Sequence, residues 1–197
     1  MANMQGISVL TRAHDYLREV AAAVPEGAWG VPTPCSEWTA RQVLNHARID
    51  QQAYGLALTG GRPDSDPFQP ADALDGDPAA ELDKILSAVA DAYTRLPADA
   101  DQVPTPLGPM PLALAAATAA MDAGVHAWDI AVATGQDRRL DDALADGIRP
   151  AADRLVDHLR DAYRVFAPAR QPRADHTSAE ALLAHLGRDP HWTAEVR

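Results

Sequence analysis

The stretch PLALAAATAAMDAGVHAWDIAVAT, residues 111–134, decides the fold class of this chain. It is nearly continuous in Ala and other small apolar residues, Ala being the strongest helix former, and Gly135 stands where a helix would close. A helix that is apolar on all sides must be surrounded by other elements, so residues 111–134 are expected at the centre of a helical assembly. Two residues break the pattern. Asp122 and His126 are four apart, so their side chains share one face, one turn above the other. Ala115, Ala119 and Ala133 lie on that same face, which therefore points inward. A carboxylate buried there is costly unless it is paired or bound to a cation.

Helical signals continue on both sides. A first helix is predicted from about Ser8 to Val24, with Leu10, Tyr16, Leu17 and Val20 on one face and Pro25-Glu26-Gly27 ending it. Thr39 and Gln42 have the spacing of a capping box, opening a second helix that runs to Thr59, before Gly60-Gly61. Within it His46 is flanked by Val43, Leu44, Ile49 and Ala53, which places its side chain in the interior or a groove. Residues 60–76 read as a long loop, of the kind that covers a site. Asp77 and Pro78 open a third helix through Leu96, and residues 97–109 form an irregular connection. A fifth helix is predicted from Asp141 or Asp142 to Phe166, interrupted near Pro150, and a short one from Thr177 to Leu186, with Glu180 as capping partner.

Composition agrees with an all-α class. At 197 residues the length suits a single domain over 1–197, and with 47% hydrophobic but only 5% aromatic residues the apolar content is mostly Ala, Leu and Val. The 17 basic and 28 acidic residues give a formal charge of −11 with no basic stripe, which argues against nucleic acid and anionic membrane as partners. With no leader pattern at the N-terminus and no apolar run long enough to span a bilayer, a cytoplasmic protein is expected. Cys35 is the sole cysteine, so any metal must use His and carboxylate ligands.

His46, Asp122 and His126 together would make such a set. Two imidazoles and a carboxylate suit zinc first, then nickel or iron(II), and three protein ligands leave positions open for water or substrate. The same spacing also arises in plain hydrogen-bonded or ion-paired helix contacts. Asp129, three residues beyond His126, either accepts a hydrogen bond from that imidazole as an outer support or is a solvated or Arg-paired surface carboxylate. Cys35 lies near a helix N-terminus, where a thiol can be acidified, or else is a small buried apolar residue under Trp38. Trp38 and Trp128 read as core anchors, and Arg41 and Arg48 as surface charges. The Asp157, His158 and Asp161 cluster reads as a solvated face, and His176, His185 and His191 as surface residues.

The run PTPCSEWTARQVLNH at 32–46, the run HAWDIAVATG at 126–135 and GRDP at 187–190 resemble the signatures of the actinobacterial, mycothiol-dependent maleylpyruvate isomerase N-terminal family. That resemblance implies a DinB-like four-helix bundle with additional short C-terminal helices. It also implies a divalent metal held by a His of the second helix and a carboxylate-x-x-x-His pair of a later one, here His46, Asp122 and His126. The family pattern has Glu where this chain has Asp122, shorter by one methylene, roughly 1.5 Å. Members of known chemistry use a low-molecular-weight thiol such as mycothiol, whose pKa the metal would lower. The isomerase itself has a further C-terminal domain, and this sequence stops short of one, so maleylpyruvate isomerisation in particular is not expected. The leading expectation is a metal-dependent enzyme that activates a thiol or water for transfer to, or isomerisation of, a small electrophile. The alternatives are a metal-binding or ligand-sequestering protein without turnover, and a helical interaction module, for which a homodimer is the natural partner.

Overall fold

The computed structural model describes residues 2–97 and 99–194. Among the described residues six α-helices carry the architecture: α1 (Ala2–Ala22), α2 (Ala40–Ala57), α3 (Pro78–Thr94), α4 (Leu112–Ala133), α5 (Asp142–Tyr163) and α6 (Ser178–His185). The first four form the bundle. Helices α1 and α2 each pack on both α3 and α4, so α1 and α2 occupy opposite corners. Helix α5 lies outside, against α4 and α1, and α6 packs on α5. Between bundle and outer layer, α4 has 18 of its 22 residues buried, which is why its sequence shows no polar face. Among the described residues no helix is long and apolar enough to cross a membrane.

Local signals place most helix ends. The Asp77 carboxylate accepts from the Ala79 and Ala80 amides, and the Asp141 carboxylate from the Leu144 amide. Thr177 and Glu180 form the expected capping box, as do Thr39 and Gln42. Three differences have tertiary causes. Helix α1 starts well before Ser8, because its first turns pack on the start of α4: a Cβ at Gly6 would lie 2.8 Å from the Ala113 Cα. Helix α5 passes Pro150 without a break, since Pro150 and Asp146, whose carbonyl loses its bond, are both exposed to water. The connection after α3 contains a two-residue ladder, β1 (Gln102–Val103) antiparallel to β2 (Met110–Pro111), pairing Val103 with Met110.

The Gly6 contact is testable. Gly6→Leu puts a side chain against backbone that cannot move aside, and it is expected to destabilise the fold by about 1–3 kcal/mol. The urea midpoint should fall at unchanged slope. An unchanged midpoint would mean that the first turns of α1 do not pack on α4.

Candidate metal centre

The site forms where α2 and α4 run side by side. Before α2, the Thr33 hydroxyl donates to the Trp38 carbonyl at 2.9 Å and accepts from the Cys35 amide at 3.1 Å, fixing the turn that delivers Trp38. The Trp38 ring sits on the His46 ring, with centroids 4.7 Å apart. At the seventh residue of α2, His46 meets the Asp122 and His126 pair of α4. His46 Nε2 is 3.5 Å from Asp122 Oδ1, and His126 Nε2 is 3.4 Å from the same oxygen. One donor atom from each of the three residues lies within 4.8 Å of the others. Donors about 2.1 Å from one ion at tetrahedral angles are about 3.4 Å apart, close to the two imidazole–carboxylate distances. The shorter Asp122 side chain still reaches both imidazoles.

Each donor residue has its other polar atom committed elsewhere. His46 Nδ1 donates to the Pro67 carbonyl at 2.8 Å, which leaves the Nε2 lone pair of the neutral ring facing inward. His126 Nδ1 donates to Asp129 Oδ2 at 3.0 Å, with the same result. Asp122 Oδ2 accepts from Gln51 Nε2 at 2.8 Å, and Oδ1 is left for the centre. The second Gln51 donor goes to the Ala119 carbonyl at 2.9 Å, so its Oε1 must accept from His14 Nε2, 2.8 Å away across the bundle. Burial, partly opposed by that bond, lowers the His14 pKa to about 4, so His14 is neutral and holds the Gln51 amide in one orientation.

The electrostatics are those of a cradle for positive charge. Burial pulls the His46 pKa down, but the hydrogen bond and charge of Asp122, with Asp50, outweigh it and raise it to about 9. In the metal-free fold the carboxylates thus favour the protonated His46 ring. Asp122 is itself lowered: burial raises it, and its bond to His46 and the charges of His126 and His46 prevail. His126 is lowered, chiefly by burial. Asp50, one turn beyond His46, brings Oδ2 within 3.6 Å of His46 Nε2. Burial and the neighbouring Asp122 charge raise the Asp50 pKa to about 7.

Asp129 is fully buried between His126, the partner expected for it as an outer support, and Arg188, which was not foreseen, so it is no surface carboxylate. The loop at 60–76 lies along α2, held by Asn45 Nδ2 on the Ala71 and Ala73 carbonyls, both at 2.8 Å, and by Thr39 and Arg41 on Asp72. It brings the exposed Phe68 ring to 6.3 Å from His46. Arg41 is thus half-buried and loop-binding, whereas Arg48 donates to Asn45 Oδ1. Trp128 is a core anchor, while Trp38 is half-buried over the site. Cys35 is half-buried, and burial, with the Asp129 charge, raises its thiol to about 12, so helix-end acidification does not occur. Asp157, His158 and Asp161 form an exposed face and His191 is exposed as well, whereas His176 and His185 are half-buried rather than surface residues, because α6 packs on α5, where Arg160 donates to the His185 carbonyl.

Asp50, Gln51, His14 and Arg188 were not singled out from sequence. Asp50 had a usable signal, since it shares a helix face with His46 at i+4. His14 falls among the inward positions Leu10, Ala13 and Leu17 of α1. Arg188 lies in the GRDP run at 187–190, but nothing local there points to Asp129.

Fold and donor set define a helical bundle able to hold a divalent metal between α2 and α4. Residues 10–131 match the family model described as mycothiol maleylpyruvate isomerase N-terminal domain. This chain belongs to that family. Two uncharacterized proteins from two strains of Mycobacterium tuberculosis are each 33% identical over 179 residues, 90% of this chain and 94% of theirs. No solved structure matches significantly.

Proposed function

We propose that this protein is a metal-dependent, cytoplasmic enzyme that joins a low-molecular-weight thiol to a small electrophile or uses it for isomerisation. His46, Asp122 and His126 are the ligands of a divalent ion, zinc first and nickel or iron(II) next, and mycothiol is the thiol the family name suggests. The observation that supports this best is that each ligand is fixed through its other polar atom while three donor atoms remain free and converge. Such outer support is what working metal sites use to hold ligands in place. Bound there, the ion would supply Lewis acidity that lowers the pKa of a thiol or water.

The chain's own residues do the rest. Asp50 Oδ2, with its side chain 26% exposed, is placed to take the proton that an entering thiol or water gives up. Phe68 and Trp38 offer apolar rings beside His46 that exclude water from one side. Three protein donors leave coordination positions for substrate.

The test is to incubate zinc-loaded protein with mycothiol and a panel of electrophiles and to follow loss of free thiol. Consumption is expected to depend on zinc and to disappear in His46→Ala. Stoichiometric zinc with no turnover across the panel would instead favour a protein that binds metal or sequesters a ligand.

A further inference from the structure

The Asp129 carboxylate is gripped from a part of the chain far beyond the stretch matched by the family model. Arg188 Nη2 donates to Asp129 Oδ2 at 2.9 Å and Arg188 Nε to Oδ1 at 3.3 Å, a two-point fork that fixes the carboxylate plane. Asp129 Oδ2 is also the oxygen that receives His126 Nδ1–H at 3.0 Å. All three residues are buried, with relative exposures of 9% for Arg188, 0% for Asp129 and 8% for His126.

The turn that carries Arg188 is tightly determined. The Arg188 amide donates to the Leu183 carbonyl at 2.9 Å, and Gly187 to Ala184 at 3.0 Å. Gly187 has φ +83°, and a Cβ there would stand 2.6 Å from the Ala167 carbonyl oxygen, so only glycine fits. A third Arg188 nitrogen, Nη1, donates to the Leu186 carbonyl at 3.3 Å. A buried Arg–carboxylate pair contributes little net stability compared with an apolar pair of the same volume. Its distinctive contribution is geometry.

We propose that Arg188 is a positioning residue of the metal centre: through Asp129 it sets the rotation of the His126 ring, aiming Nε2 at the point shared with Asp122 and His46. This rests on the reading of the trio as a metal site. The C-terminal turn and metal occupancy are then linked, and each favours the other by the same factor.

Arg188→Met keeps the length and apolar stem but removes the fork, and Arg188→Lys keeps the charge but cannot grip both oxygens. Both are expected to fold with unchanged helix content and to bind zinc about 10–100-fold more weakly in chelator competition. The visible absorption of the cobalt-loaded variants should differ from wild type, and Lys should not rescue it. Arg170→Met, which removes an exposed partner of Asp189 and a 3.4 Å bond to the Gly187 carbonyl on the same turn but leaves the Arg188 fork in place, should leave zinc affinity and cobalt spectrum unchanged. Wild-type affinity and spectrum in Arg188→Met would overturn the proposal but leave the metal site standing, whereas a wild-type chain that binds no zinc would overturn both. Should Arg188→Met fail to fold, hydrogen exchange on the wild-type chain decides. Zinc is expected to slow exchange of the Gly187 and Arg188 amides, and unchanged exchange there would overturn the proposal.

Discussion

His46→Ala is expected to lower zinc affinity by about a thousandfold, because a zinc binding free energy of about 10–16 kcal/mol is shared among three or four donors. The donor lost is Nε2, the nitrogen that faces Asp122, while Nδ1 is spent on the Pro67 carbonyl. The variant should keep its helices, since α2 is held by Val43, Leu44, Ala47 and Tyr54 in the core. Ligand linkage offers a second readout. At a free zinc concentration a hundred times Kd, wild-type protein gains about 2.7 kcal/mol, a rise in Tm of about 5–11 °C for a chain of this size, and the variant gains nothing. Elemental analysis of protein purified without an affinity tag, with thermal melts at set zinc activities, checks both. Full zinc stoichiometry in His46→Ala would mean that the ion, if bound, is bound elsewhere.

Zinc affinity should also climb by about fiftyfold between pH 7 and pH 9, close to tenfold per pH unit at first for one displaced proton and less as pH nears 9. The sign follows from His46, raised in the metal-free fold from 6.5 to about 9. Below that value Nε2 carries the proton shared with Asp122, and zinc must expel it. Above it the site is already deprotonated and the curve flattens. The same proton contributes stability to the metal-free fold that is fully present below pH 6.5 and fades as pH rises through 9. Proton and zinc therefore stabilise the same cradle in different pH ranges. Competition with a chelator, corrected for the chelator's own protonation, measures the slope. A curve already flat above pH 7 would place His46 at its ordinary value and remove the charge cradle.

Local chemistry made the helices legible. Asp77 with Pro78, Asp141, and Thr177 with Glu180 each satisfy orphan amides within a few residues, so composition alone marks their ends. The Asp122 and His126 pair was legible for a similar reason, as helix periodicity puts i and i+4 on one face. His46 was legible as an inward residue, and its pairing with α4 came from the resemblance. The start of α1 was not legible, because it depends on Gly6 meeting the Ala113 backbone more than a hundred positions later. Neither was the passage of α5 through Pro150, which depends on which side of the helix faces water.

The sequence by itself determined an all-helical chain whose central helix carries a buried carboxylate and imidazole one turn apart. Only the tertiary structure decided what surrounds them. It aims Gln51, with His14 behind it, at one oxygen of Asp122, lays the Pro67 carbonyl on His46, and seats Arg188 behind Asp129. Helix signals act over one turn, and those residues can read each other locally. The groups that orient the donors come from α1, α2, a loop and the C-terminal turn, and they meet only because burying the apolar faces of six helices leaves them no other place to satisfy their hydrogen bonds.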